Sequence, residues 1–154
     1  MEIKSILLNA LIGGASGWFM AISASWLHNR YTKNVPEGQK ELTYDIEQYR
    51  TLRIKENFEV TFAACHEALK LVRESTLMKP DNVNGIIKAK VGMSFRSFGE
   101  KLKISLKEIS PNLIEVCIES KPKIFWATSD YGKSYENIEI INTHLKATLQ
   151  TVND

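Results

Sequence analysis

From Ser5 to Asn29 the chain runs for 25 residues without one Asp, Glu, Lys or Arg. About 20 helical residues, each rising 1.5 Å, cross the roughly 30 Å hydrocarbon layer of a bilayer. The run is therefore long enough to predict a single transmembrane anchor over residues 1–30. Ile6, Leu7, Leu8, Leu11, Ile12, Phe19, Met20, Ile22 and Leu27 supply its apolar area, and Trp26 and Tyr31 fall where aromatic residues meet headgroups. A cleaved signal peptide is the rival reading, with Lys4 as its basic start and Ser23-Ala24-Ser25 as small residues for a peptidase. Neither Cys65 nor Cys117 lies near the run, which excludes a lipoprotein anchor.

Within the run, Asn9, Gly13, Gly17, Ala21 and Ser25 recur every four positions and share one helical face. Small residues at that spacing let a second helix approach closely, and Asn9 is placed to hydrogen-bond across the contact. The stripe predicts a partner helix, from another copy or a larger membrane complex. Lys4 stands against Arg30, Lys33 and Lys40 on the far side, which favours a cytoplasmic-type location for the C-terminal domain.

From Arg30 onward 19 basic residues face 17 acidic ones, too even a balance for a dedicated nucleic-acid binder. The remaining 125 residues suffice for one core. Asn34-Val35-Pro36-Glu37-Gly38 breaks the chain, so residues 31–50 read as linker plus a short amphipathic helix bearing Leu42, Ile46 and Tyr49. Residues 51–154 form the domain.

Its periodicities are clear. Leu52 and Ile54 alternate with Arg53 and Lys55 as a strand, and Phe58, Phe62, Cys65, Leu69 and Val72 make a core-facing helical stripe. A short strand at 76–79 and the turn Pro80–Gly85 precede three alternating runs, built on Ile87 to Met93, Leu102 to Leu106 and Ile114 to Ile118. The last two pair in one register. Lys107 then faces Glu115, Lys103 faces Glu119, Leu106 faces Val116 and Ile104 faces Ile118, so charge and apolar pairing agree. A final helix from Asp130, its N-cap, carries Tyr131, Tyr135, Ile138, Ile141, Leu145 and Leu149. The expected fold class is α+β: a transmembrane helix, then one small domain with an antiparallel sheet and helices on one face.

Chemistry is sparse. Cys65 and His66 are helical neighbours about 100° apart and cannot share a proton, and the three His have no metal-ligand spacing. No nucleophile, base and orienter can be placed together, so neither enzyme, metal nor cofactor is expected. Lys88, Lys90, Lys101, Lys103 and Lys107 share the solvent face of the sheet, and only Glu115 and Glu119 are placed to offset them. Lys88, Lys90 and Lys101 are the candidates for contact with anionic headgroups. Phe125, Trp126, Tyr131 and Tyr135 are the candidate partner or ligand surface.

The order of Ser120 at a strand end, a loop, Asp130-Tyr131-Gly132 and a terminal helix resembles a widespread bacterial domain of unknown function. That domain has Asn where Ser134 stands here, and Asn137 follows one turn later. A strand around Leu52, the helix of Phe62 and Leu69, meandering strands and a closing helix are also similar to the helix-grip folds. That likeness implies binding of lipids or other apolar ligands and supplies no catalytic residue. The expected function is a membrane-anchored accessory or structural subunit that docks to a membrane complex or self-associates. The alternative is a membrane-tethered domain that holds an apolar ligand between sheet and terminal helix.

Overall fold

The structure is a computed structural model that describes residues 2–124 and 129–152, with side chains from residue 17 onward within those ranges. A long helix, α1 (Glu2–Thr32), leads into a 3₁₀ helix at Glu37–Tyr44 where the spacing predicts an α-helix. Then come β1 (Gln48–Ile54), α2 (Phe58–Lys70), β2 (Ser75–Leu77), β3 (Ile86–Val91), β4 (Glu100–Ser110), β5 (Leu113–Pro122), α3 (Lys133–Thr148) and β6 (Thr151–Val152).

The spanning anchor is corrected here. Among the described residues no helix is long and apolar enough to cross a membrane. Ser23, Ser25, His28, Asn29 and Arg30 interrupt the described part of α1, and its last turns belong to the domain. His28 and Thr32 are buried, with His28 stacked on Tyr44 at 4.0 Å. Tyr31, expected at a headgroup level, lies instead beneath the Arg96 guanidinium at 4.7 Å. The single-pass topology, the cytoplasmic-type location and the membrane-anchored or membrane-tethered function rested on that span and fall with it. Of the small-residue stripe, the side chain of Asn9 and the surroundings of Gly13 lie outside those described. Gly17, Ala21 and Ser25 are exposed.

The six strands form one antiparallel sheet in the order β2-β3-β4-β5-β1-β6. Three consecutive hairpins make the meander, and β1 returns to the outer side of β5, with Leu52 opposite Val116. The expected β4–β5 register is the one observed: Lys103 faces Glu119, Ile104 faces Ile118, Leu106 faces Val116 and Lys107 faces Glu115. Pleating sends Ile87, Ala89, Leu102, Ile104, Val116 and Ile118 to one face, where all are essentially buried.

Both domain helices cover that face. Asn57 caps α2 by accepting the Val60 N–H at 2.9 Å, which fixes the start of the stripe. Phe62, Cys65 and Leu69 of α2 and Ile138, Ile141 and Leu145 of α3 complete the core. Ile138, Ile141 and Leu145 have no exposed surface, so the space between sheet and terminal helix is filled where an apolar ligand was expected. The turn into β3 needs glycine at Gly85, where φ is +64° and a Cβ would sit 2.7 Å from the Leu106 carbonyl oxygen.

Candidate functional site

The helix-free face of the sheet collects the lysines. Pairing of β3 with β4 sets Lys88 directly opposite Lys103 and Lys90 directly opposite Lys101. Pairing of β4 with β5 sets Lys101 opposite Lys121 as well. Opposite positions in an antiparallel ladder bring Cβ atoms to about 4.5–5.5 Å, where like charges destabilise the sheet. Lys88, Lys90, Lys101 and Lys103 form no ion pair among the described residues. Glu119, expected to bond across to Lys103, reaches along its own strand to Lys121 at 2.8 Å. A groove of about 340 Å³ runs between these side chains, lined by Lys88, Lys90, Lys101, Lys103, Lys121 and Glu119.

Four of these, Lys88, Lys90, Lys101 and Lys103, are legible as a basic face from sequence, and the structure brings them together. Lys121 escaped that reading. Carrying the β4–β5 register one rung beyond Lys103 and Glu119 would have found it. The direct Lys–Lys opposition escaped it too, because alternation gives the face of a residue and leaves its partner on the next strand open.

A buried polar centre marks the other face, at the start of α3. The N-cap of α3 is Gly132 and not Asp130 as expected; from two residues ahead of that cap, Asp130 accepts the Gly132 N–H at 3.0 Å and the Ser134 N–H at 2.7 Å. Tyr131 and Gly132 turn the chain through positive φ, and a Cβ on Gly132 would meet the Thr32 methyl at 2.9 Å. Glu100, fully buried at the start of β4, accepts from Ser97 Oγ and lies 3.4 Å from Asn137 Nδ2. Burial pushes its carboxyl above the usual range, helped by the nearby Asp130. Ser120 Oγ, Ser134 Oγ and Asn137 Oδ1 have no hydrogen-bond partner among the described residues.

Arg96 ties the β3–β4 loop to this centre, donating to Glu136 and, at 2.8 Å, to the Tyr131 carbonyl. Burial alone would raise the Glu136 carboxyl, yet hydrogen bonds from Arg96 and Lys133 outweigh it and hold the group below its usual range. Thr43 Oγ1 donates to the Lys40 carbonyl at 2.6 Å, so at 2.9 Å it accepts a hydrogen bond from His28 Nε2–H. Burial keeps the His28 imidazole below its ordinary pKa and neutral.

The remaining sequence candidates scatter. Tyr135 bonds Gln39 through its hydroxyl and lines a cleft of about 630 Å³ on the outer side of α3, while Tyr131 is half-buried in the turn before it. Phe125 and Trp126 lie outside the described residues. Cys65 is buried, with its thiol pushed up to about 12 by desolvation, and Cys117 sits half-buried on β5; both are free. Among the described residues no group of His, Cys, Asp and Glu is placed to hold a metal ion.

The geometry defines an α+β domain whose sheet is covered by helices on one face and left open and basic on the other. No family model and no curated protein matches the chain. Among solved structures, the Zhui aromatase/cyclase from Streptomyces sp. R1128 superimposes with a TM-score of 0.37 at 7% identity. That alignment covers 66% of this chain and 84% of the other. Similarity at this level assigns neither activity nor ligand.

Proposed function

We propose that this chain is a non-catalytic binding module that takes an anionic partner on the open face of its sheet. The observation that carries this is the opposition of Lys88 to Lys103 and of Lys90 to Lys101, with Lys121 beyond. Rungs on one face repeat about every 7 Å along a strand and strands about every 4.8 Å, within the roughly 8 Å over which charges feel one another in physiological salt. Their mutual repulsion is a standing cost to the fold. An anion seated between opposed ammonium groups relieves it, and binding and stability are thereby linked.

The alternatives have less support. Cys65 is sealed in the core, where desolvation holds its thiol up at about 12 and so out of its nucleophilic form. The succession of strand, helix, meander and closing helix supports the likeness to helix-grip folds.

Reversing one charge tests the reading. Lys101→Glu replaces two like-charge oppositions by attractive ones, to Lys90 and to Lys121. The variant is expected to melt about 1–3 °C higher than the parent while losing retention on an immobilised polyanion such as heparin. A lower melting temperature, or unchanged retention, would sink the proposal.

A further inference from the structure

We propose that the anionic partner is a lipid surface, into which the loop of residues 92–99 places Met93, Phe95 and Phe98. The inference rests on the anion-binding reading of the sheet and adds what the anion belongs to. It concerns contact with a surface and involves no spanning segment.

The loop inverts the ordinary sorting of side chains. Met93 is 69%, Phe95 86% and Phe98 56% exposed, although they are the largest apolar residues of the segment. Arg96, the one charged residue among them, turns inward to Glu136 and the Tyr131 carbonyl, with its side chain only 14% exposed. Buried Arg with exposed Phe on both sides is the reverse of the usual preference.

The arrangement is held in place. Ser94 N–H donates to the Ser97 carbonyl at 2.9 Å, and Ser94 Oγ accepts from the Arg96 and Ser97 N–H groups at 3.2 Å. Gly99 closes the loop at φ +90°, where a Cβ would lie 2.7 Å from the Val91 carbonyl oxygen. Lys123 braces the same carbonyl through Nζ at 2.6 Å.

The loop also leaves the sheet at its basic end. It joins β3 to β4 just beyond the rung where Lys90, Lys101 and Lys121 stand side by side. A convex tip of separated apolar side chains above a row of ammonium groups matches an anionic bilayer, with tips at the acyl boundary and lysines among the headgroups. A protein partner would call for a contiguous apolar patch with pocketed anchors. Single-stranded nucleic acid would call for aromatic platforms along the lysine groove, whereas these Phe residues lie off its end.

The test is flotation of the full chain with phosphatidylcholine vesicles, with and without about a third phosphatidylserine. Any partition through α1 is shared by all variants and appears with pure phosphatidylcholine. The parent is expected to bind the anionic vesicles in excess of that background. Met93→Ser/Phe95→Ser/Phe98→Ser should lose that excess about tenfold, and Lys90→Glu/Lys101→Glu should abolish it together with its salt dependence. All these side chains are exposed, so unchanged near-ultraviolet circular dichroism verifies folding. Loss in the lysine variant with full binding by the loop variant would overturn the insertion of Met93, Phe95 and Phe98 and leave the anionic reading standing. Equal binding by all three proteins would overturn both. Lysine-dependent binding of a single-stranded oligonucleotide without vesicle binding would replace lipid by nucleic acid.

Discussion

Glu100 and Glu136 sit in the same polar centre and titrate in opposite senses. Glu100 is walled off by its own burial, so its folded carboxyl holds a proton above the ordinary value of about 4.5. Its stabilising contribution is complete below that value and is lost as pH rises through the folded one. Glu136 is held ionised by Arg96 and Lys133, so its contribution is present above the ordinary value and lost as pH falls through the folded one. Glu100→Gln should therefore gain thermal stability relative to the parent at pH 7 and match it near pH 4. Glu136→Gln should lose stability at pH 7 and close the gap in acid. Melting curves across that range check both, and parallel curves for parent and variants would contradict the assignment.

At the scale of the element, the β4–β5 hairpin shows how far alternation reaches. Ile104 is fully buried against the helices, while Lys103 opposite Glu119 looks to the open side. Ile104→Asp places a carboxylate in the core and should cost roughly 3–5 kcal/mol. Lys103→Ala should cost less than about 0.5 kcal/mol, since Glu119 is already engaged by Lys121. Urea titrations that ranked the two in the other order would reverse the inner and outer faces, and with them the basic surface. Two elements depart from their periodicity for local reasons. The stretch at 37–44 forms a short 3₁₀ helix that stops where Asp45 turns extended, and Tyr49 goes to β1, so the run is too short for the expected α-helix. The last helix starts at Lys133 because Tyr131 and Gly132 carry positive φ, which no α-helix accommodates.

In the whole molecule, the end of α1, the 3₁₀ helix and the start of α3 meet around Gly132. Gly132→Ala must give up its left-handed backbone or push Thr32 away, and should destabilise the fold by about 1–2 kcal/mol while loosening hydrogen-exchange protection at the end of α1. Gly17, by contrast, has nothing within 4 Å of its Cβ position, so Gly17→Leu should leave the melting temperature unchanged. Equal effects of the two would mean that α1 contacts the domain elsewhere.

Local order was legible in the residues: the strand and helix runs, the inner and outer faces, and the hairpin register. Each comes from periods of 2.0 and 3.6 acting within a few residues, and β4 and β5 are joined by so short a turn that apolar and charge pairing left one solution. What required the tertiary structure was every relation across long separations. The return of β1 to β5, the opposition of β3 lysines to β4 lysines, the burial of Glu100 beside Asp130 and the turning of Arg96 inward are set by which faces must close over one core, and no local period encodes them. Length and hydrophobicity are all that the uncharged run shows by itself, whereas the packing of the end of α1 depends on partners 15 to 100 residues further along the chain, from Thr43 against His28 to Gly132 against Thr32.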